Sequence, residues 1–105
     1  KSWDLALGLS EKLQRMEPEN GAGFIQGAYC LHEMKRTDEA LELLEIAPDS
    51  VRSDAIYFYN KGCYQAAIGD LDTAFDCIKK SFDLDESLIE VARRDPDLAI
   101  LKDSI

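Results

Sequence analysis

A chain of 105 residues, 46% hydrophobic and 31% charged, is long enough for one small domain with a modest core and too apolar for a disordered tail. Its net charge of −9 repels phosphate backbones and anionic headgroups; the basic pairs Lys35-Arg36, Lys79-Lys80 and Arg93-Arg94 are too small as patches to reverse that, so neither nucleic acid nor membrane is an expected partner. No apolar run reaches the roughly 18 to 20 residues of a membrane span, and three cysteines without framework spacing fit reduced thiols in the cytoplasm better than a disulfide scaffold.

The chain opens on Lys1 without a charged-then-apolar leader, and it reads as an excised piece or processed product whose true N-terminus lies upstream. Trp3 to Met16 forms an amphipathic helix with a Leu5, Leu9, Leu13 stripe, followed by a loop at Pro18. The next helix carries Phe24, Ala28 and Leu31 at three- and four-residue steps and closes at Lys35 or Arg36, after which Thr37 or Asp38 caps its successor. Pro48 stops that successor early and leaves Pro48 to Ser53 as an irregular connector. A helix over about residues 54 to 67 meets Gly69-Asp70, where glycine takes a positive φ and the Asp70 carboxylate accepts a free amide; another helix covers about 71 to 83. Beyond Asp85 the pattern changes to LIEVARRDPDLAIL, with Asp95-Pro96 as N-cap and first residue of a short final helix. The expected fold class is all-α.

One offset, 34 residues, aligns several special positions at once. Phe24 maps to Phe58, Ala28 to Gly62, Ala40 to Ala74, Leu44 to Ile78 and Ala47 to Ser81, and one step back Ala6 falls under Ala40. Paired helices approach closely only where side chains are short, which explains the small residues at Ala28, Gly62, Ala40 and Ala74. The alternative is a generic helical bundle in which these residues align by chance.

Phe24-x-x-Gly27-Ala28-x-x-Leu31 with Ala40-x-x-x-Leu44, and Phe58-x-x-Lys61-Gly62 with Ala74-x-x-x-Ile78, resemble two copies of the tetratricopeptide repeat; Trp3-x-x-Ala6 through Met16-Glu17-Pro18 is similar to the second half of a preceding copy. The resemblance implies a TPR-like solenoid, antiparallel hairpins stacked as an α-α superhelix. Residues 1–20 would be a half repeat, 21–54 and 55–88 whole repeats, and 89–105 a C-terminal cap like those closing such arrays in bacterial proteins. Gln65 and Lys61 stand where the family places aromatic or aliphatic residues, and the packing is expected to loosen there.

Chemistry finds little purchase. Cys30, His32, Cys63 and Cys77 lack a Cys-x-x-Cys pair and the spacing of a metal site, and residues two apart on a helix diverge by about 200°, so Cys30 and His32 do not face each other as nucleophile and base. Asp70, Asp72, Asp76, Asp83, Asp85 and Glu86 lack the alternating ligands and central glycine of a calcium loop, and there is no Gly-rich phosphate loop. No enzyme activity, metal or cofactor is expected.

The resemblance implies instead a concave groove lined by the first helices of the repeats, which takes a partner protein's peptide or helix. Carried onto this chain, the groove residues are Ile25, Gln26, Tyr29 and Glu33, then Ile56, Tyr59, Asn60, Cys63 and Ala67. Tyr29 and Tyr59 offer broad apolar area, a hydroxyl and little rotamer entropy to lose, and Asn60 can both donate to and accept from a peptide backbone. The alternative is that both tyrosines pack against neighbouring helices. Tyr59→Ala is expected to weaken partner binding while leaving stability nearly unchanged; equal loss of both would mark Tyr59 as core. Of the clamp with which chaperone-binding members grip a C-terminal carboxylate, only Asn60 matches, since Ile25, Ile56 and Tyr59 replace its basic residues. A partly apolar peptide or helix, basic ones included, is the expected ligand. A spacer or self-association module, dimeric through the Leu5, Leu9, Leu13 stripe, is a second reading, and the regulatory arm of a larger enzyme a third.

Overall fold

The computed structural model describes residues 2–104, with side chains to Leu101. Within them every regular element is helical: α1 (Trp3–Met16), α2 (Ala22–Glu33), α3 (Thr37–Glu45), α4 (Asp49–Arg52), α5 (Ala55–Ala67), α6 (Leu71–Leu84), α7 (Leu88–Arg94) and a C-terminal 3-10 segment (Pro96–Ser104). The chain divides between Ser53 and Asp54 into two compact units, α1–α4 and α5 to the C-terminus.

In the first unit α2 packs against both α1 and α3. Its inner face is Phe24, Ala28 and Leu31, all buried, with Ala28 and Ala40 fully so. Leu7 and Ser10 turn α1 toward this core. Polar atoms that burial would orphan are satisfied locally, Ser10 Oγ donating to the Ala6 carbonyl at 3.0 Å and Gln14 Nε2 to the Gly23 carbonyl at 3.3 Å. Leu5 and Leu9 of the expected stripe are exposed, as is Met16, while Leu13 is half-buried.

Two details of this unit correct the sequence expectations. The segment Pro48 to Ser53 is no irregular connector: Pro48, extended at ψ 156°, hands over to the single helical turn Asp49–Arg52, which buries Val51, while Ser50 Oγ donates to the Glu19 carbonyl at 2.8 Å. Neither Thr37 nor Asp38 caps α3. Arg36 holds the N-cap position without a side-chain bond to the helix amides and instead grips Glu39 through two 2.7 Å hydrogen bonds, and the Thr37 hydroxyl lies 2.9 Å from His32 Nδ1.

In the second unit α5 and α6 form a tight hairpin. A Cβ at Gly62 would lie 2.6 Å from Ile78 Cδ1 and 3.1 Å from the Ala74 carbonyl oxygen, so α6 crosses α5 where a side chain is missing. Ala74 and Ile78 are buried beneath that crossing. Lys61 keeps its ammonium 5.9 Å from the Tyr57 ring centroid, and Lys80 lies 5.7 Å from that of Phe58. Gln65 is buried, and its side-chain oxygen is satisfied by a hydrogen bond from the Cys77 thiol at 3.3 Å.

The same turn closes α2 in the first unit and α5 in the second. After α5, Gly69 takes φ 90°, its amide donating to the Ala66 carbonyl at 3.1 Å and that of Asp70 to Gln65 at 2.9 Å. After α2, Lys35 takes φ 66°, its amide donating to His32 at 3.0 Å and that of Arg36 to Leu31 at 2.8 Å. Both are Schellman closures, 34 residues apart. Asp70 then caps α6, its Oδ1 accepting from the Thr73 amide at 3.4 Å.

Candidate functional site

Helix periodicity places the residues expected to line a groove on two faces, one in each unit. On α2, Phe24, Ala28 and Leu31 face the core, so Gln26, Tyr29 and Glu33 fall on the outer side, exposed, with Ile25 half-buried beside them. Tyr29 is 46% exposed, yet its ring is held: the Trp3 indole meets it edge-on, centroids 5.7 Å apart at 74°. A large ring that is both accessible and already oriented loses little freedom when it is covered.

On α5 the expected face is split. Ile56 is 45% exposed and Asn60 half-buried, but Tyr59 and Cys63 are buried, at 5% and 4%. What meets them is Asp95, just past the end of α7. The Tyr59 hydroxyl donates to Asp95 Oδ2 at 2.6 Å, and the Cys63 thiol, one turn along α5, points to the same oxygen at 3.9 Å. Asp95 Oδ1 accepts the Asp97 amide at 3.0 Å, which fixes the carboxylate and starts the 3-10 segment. Leu98 and Leu101, buried in turn, follow along that segment, which packs on α5 and α7.

The electrostatics of this clasp hold protons in place. Burial, then the hydrogen bond to Asp95, pushes the Tyr59 hydroxyl far above its ordinary range; burial and the charges of Asp95 and Asp97 push the Cys63 thiol up likewise. At neutral pH both groups are donors and neither is a nucleophile. Cys30 is also pushed up by burial, and His32 is turned to Thr37. Cys30, Cys63 and Cys77 are free thiols, and among the described residues no group of three or more His, Cys, Asp or Glu is placed to hold a metal ion. Among the described residues no helix is long and apolar enough to cross a membrane.

Asp95, Leu98 and Leu101 are the site residues that sequence reasoning missed. Asp95 was legible as a helix cap, and the signal for the rest is the pair of leucines three apart after Asp-Pro, a spacing suited to a 3-10 helix.

Comparison with protein-family models, curated proteins and solved structures finds no match. The assignment of function therefore rests on the two faces themselves.

Proposed function

We propose that this chain is a protein-recognition module, built of tetratricopeptide-type hairpins in an α-α superhelix, that reads a partner's peptide or helix with the outer face of α2. The observation that carries the reading is Tyr29, exposed on α2 yet oriented by Trp3, with Gln26 and Glu33 beside it to supply polar contacts. The 34-residue offset and the paired Schellman closures at Lys35 and Gly69 support the repeat assignment. Three free thiols suit a reducing, cytoplasmic setting. In this reading the module works by binding and has no catalytic residue.

Selection of a peptide library on the full chain tests it. Peptides enriched on the wild type should bind Tyr29→Ala at least about 10-fold more weakly, the loss of one aromatic anchor, with the melting temperature shifted little because Tyr29 is outside the core. Equal binding by the variant would remove α2 from the recognition surface.

Exposed Leu5, Leu9 and Met16 on α1 favour a second reading, self-association through that helix. Light scattering over a concentration series decides it: dimer that Leu5→Glu/Leu9→Glu abolishes supports it, and monomer throughout refutes it.

A further inference from the structure

The segment from Asp95 to Leu101 lies on α5 in the manner of a bound peptide. In a 3-10 helix three residues make a turn, so side chains three apart stack along one line. Leu98 and Leu101 occupy that line and are buried, at 0% and 7%, whereas Ile100, equally apolar, is 66% exposed. Register rather than hydrophobicity therefore selects which residues α5 and α7 cover. At the head of the line the Asp95 carboxylate takes the Tyr59 hydroxyl at 2.6 Å and faces the Cys63 thiol at 3.9 Å. The 3-10 run Pro96–Ser104 is longer than the three or four residues such helices ordinarily sustain, and within it Leu98 and Leu101 are buried. Ordering against a helix face, with a charged anchor and apolar residues at fixed intervals, is how short protein segments are recognised in grooves.

We propose that the α5 face around Tyr59 and Cys63 is a binding site for a protein segment bearing a carboxylate followed by leucines at the third and sixth positions, filled in cis by Asp95 to Leu101. A partner carrying that pattern enters by displacing the resident segment, whose tether through α7 gives it a high effective concentration and sets a threshold against weak competitors. The site is built from residues of the second unit alone and the α2 face from residues of the first, so either proposal can fail without the other.

The probe is a labelled peptide with the chain's own residues 95–105, titrated by fluorescence anisotropy against the full chain. Leu98→Ala/Leu101→Ala, which loosens the resident segment, should bind the probe at least about 10-fold more tightly than the wild type, and adding Tyr59→Phe should reverse about 10-fold of that gain, as loss of one charge-assisted hydrogen bond would. A probe with Asn for its first Asp should bind as weakly as the Tyr59→Phe combination. Hydrogen exchange on the unaltered chain gives an independent reading: amides of residues 97–101 should exchange at least about 10-fold faster than those of mid-α5, through opening of the segment alone. A folded double variant that binds no better than wild type, or exchange of the segment in step with α5, would make residues 95–101 a fixed part of the core and overturn the proposal.

Discussion

Tyr59, Cys63 and Asp95 set a pH limit on the second unit. Below pH ~8.5 both donors are protonated whether the chain is folded or not. As pH rises past ~8.5 for the thiol and then ~10 for the phenol, the unfolded chain releases protons that the folded unit retains, because burial and the carboxylate push both groups up. The unfolded state then binds fewer protons, so stability falls with rising pH. Thermal melts should show the wild type losing stability between pH 8 and 10.5, and Cys63→Ala should flatten the early part of that decline; a slope unchanged by the substitution would place its origin elsewhere. Tyr59→Ala, which sequence alone suggested would spare stability, removes a buried ring and leaves a half-buried carboxylate without its shortest partner. A loss of about 3 kcal/mol or more is expected in denaturant unfolding. Gly62→Ala should cost about 1 to 3 kcal/mol despite alanine's better helix propensity, since its methyl would meet Ile78 and the Ala74 carbonyl.

Among the elements, the two Schellman closures differ in one respect that a substitution can exploit. Gly69 takes its positive φ without cost, whereas Lys35 holds φ 66° with a Cβ, a conformation worth about 1 kcal/mol of strain for an L-residue. Lys35→Gly should therefore raise the melting temperature by a few degrees, and Gly69→Ala should lower it. The helices were legible because apolar residues recur at helical steps and because Gly69-Asp70 states its turn outright. The closure at Lys35 was legible only as a helix end, since lysine signals no special φ. The single turn of α4 was hidden behind Pro48. The outer face of α2 was implied by the repeat resemblance, with helical spacing in agreement. The α5 face did not, because the residue that covers Tyr59 lies 36 positions downstream and no local pattern records the contact.

At the scale of the whole molecule, 21 acidic against 12 basic residues leave a net charge of −9 on a small chain, and self-repulsion opposes the compact state. The melting temperature should rise between 10 and 300 mM sodium chloride as the Debye length shortens from about 30 Å to less than 10 Å; a fall would mean that attractive ion pairs dominate. The exposed pair Arg36–Glu39, in which the guanidinium hydrogen bonds hold the Glu39 carboxyl low, adds stability at neutral pH that is lost as acid protonates that carboxyl. The lone tryptophan, Trp3, packs on Tyr29 in the first unit, while Tyr57, Tyr59 and Tyr64 all belong to the second. Indole emission thus follows only the seating of α1, and tyrosine absorbance is dominated by the other unit. The chain carries a separate optical channel for each half, so a single unlabelled melt read at two wavelengths measures whether the halves unfold as one cooperative body or in sequence.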